Sequence, residues 1–161
     1  MPDPSDMPVL EFLRRQLDSS GLPEDRTHLR YPTAISQLLG FEITAVGLGT
    51  ATLAVDVDAI VHGNQQGTVH GGFLAELGDA AIGTAHSTLM GPGESFTSID
   101  LRATFLRPVW HDRLLAHARP AHSGRAIAHY QCDIIRSSDA KTVATVTSTV
   151  MTLRGDQAAG R

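Results

Sequence analysis

Residues 62–89, HGNQQGTVHGGFLAELGDAAIGTAHSTL, join a glycine-rich turn to a helix with hardly any side-chain bulk. Glycines 63, 67, 71 and 72 let the backbone turn sharply and come close to a ligand. From Phe73 onward, apolar or small residues recur at 73, 74, 77, 80, 81, 84 and 85, which is helical spacing. The helix is nearly all small: Ala75, Gly78, Ala80, Ala81, Gly83, Thr84 and Ala85. A glycine inside a helix costs about 1 kcal/mol against alanine, so two of them predict that a backbone or a ligand packs very close. One carboxylate, Asp79, stands in the middle of this apolar run.

A helix apolar on nearly every side must be covered on most of them. Upstream, within residues 41–60, Ala51, Leu53, Val55 and Val57 alternate with Thr52, Ala54, Asp56 and Asp58, which predicts one half-buried strand. Downstream, Gly91-Pro92-Gly93 breaks the helix and four strands follow. In the first, Ile99, Leu101, Ala103 and Phe105 alternate with Ser98, Asp100, Arg102 and Thr104. In the second, Leu114, Ala116 and Ala118 alternate with Leu115, His117 and Arg119. Residues 126–136 and 142–153 complete the set, and the short turns between strands imply an antiparallel meander. The expected class is α+β: a strand, a long buried helix and four antiparallel strands wrapped around it. An open edge on such a sheet favours pairing with a second copy.

Residues 1–31 read as a helical arm and loop. Ser5 or Asp6 can cap a helix with Pro8 in its first turn; Leu10, Leu13 and Leu17 mark one face, and Gly21 with Pro23 ends it. A second short helix is expected from Pro32 to Leu39, stopped by Gly40. Residues 32–153 form the main domain, and residues 154–161 a polar, flexible tail. The net charge of -4 argues against nucleic-acid binding, which needs a basic surface. A lone Cys132 cannot close an internal disulfide and fits a reducing compartment. The N-terminus has no basic segment followed by an apolar run, and no apolar run is long enough to span a bilayer. The expectation is a soluble cytoplasmic protein with no nucleic-acid or membrane partner.

Asn64-Gln65-Gln66-Gly67-Thr68-Val69-His70-Gly71-Gly72, followed by Asp79 seven positions after Gly72, resembles the hotdog-fold acyl-CoA thioesterases. The resemblance is to the branch related to the phenylacetate-degradation thioesterases and covers roughly residues 32–153. Thr97-Ser98-Ile99-Asp100 and Phe105-Leu106-Arg107-Pro108 look like the family's next strand. Branches differ in whether the helix acid is Asp or Glu; here it is Asp. The resemblance implies a homodimer, often doubled to a homotetramer, with an acyl-CoA or aroyl-CoA substrate held at the subunit interface. It also implies that Asn64 and the Gly71 N–H come from one subunit and Asp79 from its partner.

An acid in apolar surroundings has its pKa pushed up by desolvation. Asp79 can attack a thioester directly, giving an anhydride, or activate water as a general base; the residues leave both open. A buried structural aspartate is the competing reading. Gly71 offers a backbone amide at a helix N-terminus, suited to a developing oxyanion, or serves the turn alone. Asn64 positions water or the carbonyl, or only shapes the turn. His70 orients the turn or polarises the carbonyl. Ser98 matches the family's water-holding hydroxyl, or lies on a solvated strand face. Gly72 and Gly83 would border the substrate, Gly83 leaving room one turn beyond Asp79. Arg125, beside Gly124 in a hairpin turn, is the first candidate for the coenzyme A phosphates, with Arg107 and Arg136 behind it.

No cofactor is expected, since coenzyme A enters as part of the substrate. His62 and His70 lack metal-ligand spacing, and there is no G-x-S-x-G elbow and no P-loop. Two rival readings remain: a non-catalytic acyl-CoA-binding module, and a hydratase or dehydratase on the same fold.

Overall fold

The computed structural model describes residues 6–159. Its organising element is helix α4 (Gly71–Ser87), which buries Leu74, Leu77, Gly78, Ala81, Ile82 and Ala85. Around it curls a six-stranded antiparallel sheet: β1 (Glu42–Gly47), β2 (Thr50–Asp58), β3 (Ser95–Phe105), β4 (His111–Ser123), β5 (Ile127–Arg136) and β6 (Thr142–Leu153), in the order β1-β2-β4-β5-β6-β3. α4 lies against β2, β3, β4, β5 and β6. This is the α+β hotdog arrangement, a central helix wrapped by a curved sheet. Leu53, Val55 and Val57 of β2, Leu114 and Ala116 of β4, Cys132 and Ile134 of β5, and Val146 and Val150 of β6 close the core on the helix.

The two helical glycines differ in their surroundings. A Cβ at Gly78 would lie 2.7 Å from the Cβ of Val146, so β6 requires glycine there. A Cβ at Gly83 would meet only the Phe96 ring, at 3.7 Å. Close approach therefore holds at Gly78, while Gly83 leaves space.

Several sequence expectations need correction. Residues 41–60 form a hairpin of two strands rather than one, because β1 is an edge strand, mostly exposed, whose residues carry no burial period. The downstream strands are not one meander: β3 leaves its neighbour in sequence, crosses to β6, and β2 takes the place beside β4. A bulge between Ser98 and Asp100 resets the alternation of β3. Phe96 packs against α4 before the bulge, and Ala103 and Phe105 do so after it. Ile99, expected on the covered face, is instead 56% exposed.

In the arm, α1 (Val9–Leu17) begins later than expected, with Pro8 outside it as the N-cap residue and no side-chain cap. Ser5 lies outside the described residues. α2 (Ala34–Leu39) is capped by the Thr33 hydroxyl and stopped by Gly40, whose φ of 73° suits glycine. A one-turn helix, α3 (Ala59–His62), had no counterpart in the sequence reading. Residues Gly155–Gln157 of the expected flexible tail form a 3-10 turn. No helix among the described residues is long and apolar enough to cross a membrane.

Candidate active site

The turn before α4 is held by its own polar side chains. The Asn64 side-chain oxygen accepts the backbone N–H of Gln66 at 2.9 Å and of Thr68 at 3.2 Å, and its Nδ2 donates to the Thr68 hydroxyl at 3.1 Å. One Nδ2 hydrogen is left over. His70 caps the helix: its Nδ1 accepts the Gly72 N–H at 2.9 Å, which places any ring proton on Nε2. Gly72 therefore has its amide engaged. The Gly71 N–H, at the first helical position, has no acceptor among the described residues. That free donor sits where the positive end of the helix dipole adds to it.

Asn64, Thr68, Gly71, Phe105 and Arg107 line one cavity of about 380 Å³. The Phe105 ring lies so close that a Cβ on Gly71 would sit 2.8 Å from it. A side chain at Gly71 would therefore have to displace the tip of the Phe105 ring. Phe105 keeps the face its alternation with Leu101 and Ala103 predicts, but its contact with Gly71 was not legible in advance, because it depends on the non-local place of β3 beside β6.

Asp79 is half-buried and lies farther along the helix, outside this cavity. Burial raises its carboxyl above the usual aspartate range, and the Ser98 hydroxyl beside it pulls in the opposite direction. Ser98 thus faces the helix acid, made possible by the bulge that separates it from Asp100. Asp100 instead accepts from the Thr149 N–H and hydroxyl of β6. Glu76, one turn before Asp79, also has its carboxyl raised, by burial first and by the nearby Asp79 charge second. The sequence reading passed over it; its spacing of three from Asp79 is the available signal.

Gly71 and Asp79 are eight residues apart on one straight helix, about 12 Å along its axis at 1.5 Å per residue. A single thioester carbonyl cannot touch both within one chain. The basic candidates separate as well. Arg107 borders the Gly71 cavity and donates to the Thr142 carbonyl at the start of β6. Arg125 sits near the other end of β6, its carbonyl accepting from Arg154. Arg136 is committed to Asp139, at 2.6 Å, and to the Pro108 carbonyl. Arg107 is therefore the basic residue best placed for the Gly71 cavity. Among the described residues, no three His, Cys, Asp or Glu side chains cluster as metal ligands.

Residues 66–143 match the family described as the Thioesterase superfamily. A protein of Haemophilus influenzae named "Putative esterase" is 33% identical over 113 residues, 69% of this chain and 79% of that one. A mutant of the phenylacetic acid degradation protein PaaI from Thermus thermophilus superposes with a TM-score of 0.67 at 31% identity, covering 74% of this chain and 98% of its own. The PaaI protein of the Escherichia coli phenylacetic acid degradation operon gives 0.70 at 28% identity, covering 77% of this chain and 87% of its own.

Proposed function

The chain belongs to the thioesterase superfamily and is a thioester hydrolase; on that premise we propose that it cleaves an acyl-CoA or aroyl-CoA to the free acid and coenzyme A. The observation that carries the site assignment is the half-buried Asp79, its carboxyl raised by desolvation and flanked by the Ser98 hydroxyl. Such a carboxylate accepts a proton more readily than a solvated aspartate does.

In the general-base route, Asp79 takes a proton from water as its oxygen attacks the thioester carbon. In the nucleophilic route, a carboxylate oxygen attacks instead and gives a mixed anhydride that water then opens. Either way the C–S bond breaks and the coenzyme A thiolate collects a proton. The oxyanion sits on the Gly71 N–H. Asn64, through its remaining Nδ2 hydrogen, orients the carbonyl or water; His70 keeps the turn in register by capping it, and Ser98 orients the water or the carboxylate. Gly72 and Gly83 border the substrate, and Arg107 meets a coenzyme A phosphate at the Gly71 end. Arg125 would reach the coenzyme only if it bent back or met the partner's cavity. No metal or other cofactor enters this scheme.

The site is completed by a second copy, Asp79 of one subunit facing Gly71 of the other. Support comes from the 12 Å spacing, about eight residues of helix rise, and from the free edge of β3, where Ile99, Leu101 and Phe105 are 56%, 43% and 55% exposed. Such an edge is a template for strand pairing. The assembly is a dimer, doubled to a tetramer in the manner of the family resemblance. The compartment is the cytoplasm, consistent with a lone buried Cys132 whose thiol is pushed up to about 12 by burial.

Thiol release from benzoyl-, phenylacetyl- and hexanoyl-CoA, followed with a thiol reagent, tests this reading. Turnover that disappears in Asp79→Asn supports it. Tight binding with no release from any of them would point to a non-catalytic binding module.

A further inference from the structure

On α4, Gly72, Glu76, Asp79 and Gly83 fall within about 60° of one another at roughly 100° per residue. They lie on the side of the helix that its own chain leaves partly open. Gly72 is exposed and the other three are half-buried, whereas Leu77, Gly78, Ala81, Ile82 and Ala85 are buried. Of the four, only Glu76 and Asp79 carry a polar side chain. The Ser98 hydroxyl faces Asp79. Glu76 has no such neighbour: burial raises its carboxyl, the Asp79 charge adds to the effect, and among the described residues no cation or hydrogen-bond donor offsets them. A fully exposed glutamate finds its donors in water. A half-buried one beside a reacting group, losing water without a donor in return, has an acceptor left to fill.

The thioester that Asp79 meets carries one donor at the matching range. In an acyl-CoA the sulfur leads through two methylenes to the cysteamine amide. Its nitrogen lies four bonds from the reacting carbonyl carbon, about 5 Å when extended. Residues three apart on a helix hold their Cβ atoms about 5–6 Å apart. A thioester seated with its carbonyl carbon at Asp79 and its sulfur toward the start of α4 therefore brings the amide N–H to the Glu76 carboxylate. The reverse seating sets an apolar acyl group against that carboxylate. It also sends the amide toward Gly83, where the Phe96 ring, 3.7 Å from the position a Cβ would take, offers no acceptor. Both polar groups then lose water without replacement.

We propose that Glu76 binds the substrate, its carboxylate accepting the cysteamine N–H of the coenzyme A arm and so fixing the direction of the thioester along α4, sulfur toward Gly72 and acyl group toward Gly83. The inference rests on the acyl-CoA thioesterase reading of Asp79 and adds how the leaving group is recognised. A thioester whose thiol lacks that N–H is a poorer substrate whatever its acyl group.

The test compares an acyl-CoA with its analogue in which an ester oxygen replaces the cysteamine N–H. The acyl group is the one the parent hydrolyses fastest, and each kcat/KM is divided by the hydroxide-catalysed rate of the same compound. The parent should favour the natural arm by about tenfold or more, as expected of a hydrogen bond to a charged group. Glu76→Ala, which keeps a good helix former in α4, should bring the ratio close to one. Glu76→Gln, whose amide carbonyl still accepts, should keep part of it. Glu76→Met takes the place of the alanine variant should that one not fold.

A parent ratio near one, or a ratio that survives in Glu76→Ala, overturns the contact and leaves the hydrolase standing. A loss in Glu76→Ala that falls equally on both arms also overturns it, since Glu76 would then act only through Asp79. The same holds for an effect that follows a hydroxyl on the acyl group, 4-hydroxybenzoyl against benzoyl, instead of the amide. If the parent hydrolyses no thioester, the thioesterase reading fails and affinity for the uncleavable thioether S-hexyl-coenzyme A decides on Glu76. Binding about tenfold weaker in Glu76→Ala, partly restored in Glu76→Gln, supports the contact. Equal affinity, or no binding to the parent, overturns it.

Discussion

In the proposed site Asp79 carries the heaviest chemical load of any side chain, and its charge sets two opposite expectations. Burial lifts its carboxyl above the usual aspartate range, so the folded chain holds that proton more tightly than the unfolded chain. Stability from this group is therefore present at low pH and lost as pH rises through the raised value. Asp79→Asn removes the loss. Its melting temperature at neutral pH should match or exceed the parent's, and the difference should vanish in acid, as a thermal melt at several pH values would show. Turnover should fall about a hundredfold or more, because base or nucleophile is gone. Lower stability with only a modest rate loss would mark Asp79 as structural.

His86 gives the contrasting case at this scale. Its ring is buried, hydrogen-bonded to the Tyr130 hydroxyl at 3.1 Å and to Thr152 at 3.0 Å. Burial, followed by the nearby Arg154 charge, depresses its pKa to about 4. Here the unfolded chain binds the proton more readily, so stability declines as pH falls from about 6.5 toward 4. His86→Leu should remove that slope. It should also lower stability by about 1–3 kcal/mol for each hydroxyl left without a partner; denaturant titration reads both. Asp79 was legible in the sequence because an acid stood in the middle of the small-residue run of the helix, between Gly78 and Ala80. The placement of Ser98 was only half legible, since a one-residue bulge at Ile99, invisible in the residue pattern, turns it toward the acid.

α4 should respond unequally at its two glycines. Gly78→Ala would press a methyl group onto Val146 on β6, and overpacking of that kind costs roughly 1–3 kcal/mol. Gly83→Ala meets only ordinary contact with Phe96 and should gain roughly 1 kcal/mol of helix propensity. If the acyl group passes over Gly83, the second variant becomes more stable and slower at once. Chemical denaturation alongside kcat/KM separates the outcomes. α4, β2 and the strands from β4 onward were legible because each buries one regular face. β1 was not, being an exposed edge without a burial period. The strand order was not either, since pairing β3 with β6 across two intervening strands is a non-local choice that no local residue pattern encodes.

For the whole molecule, the proposed shared site assigns the Gly71 and the Asp79 of one chain to two different sites. Dilution below the dissociation constant of the pair should abolish specific activity, with sedimentation tracking the same midpoint; an active monomer would refute the shared site. Asn64→Ala and Asp79→Asn chains, each nearly inactive alone, should recover roughly a quarter of parental activity when refolded as an equal mixture, since about half the dimers then hold one intact site of two. The same division has a consequence for inheritance. On the proposed division, damaged alleles would sort into two groups, one for the turn from Asn64 to Gly71 and one for Asp79, and two alleles would complement only when drawn from different groups. An allele that spoils either group, expressed beside an intact one, would leave half the sites in every mixed pair working and so behave as a partial loss rather than a dominant poison.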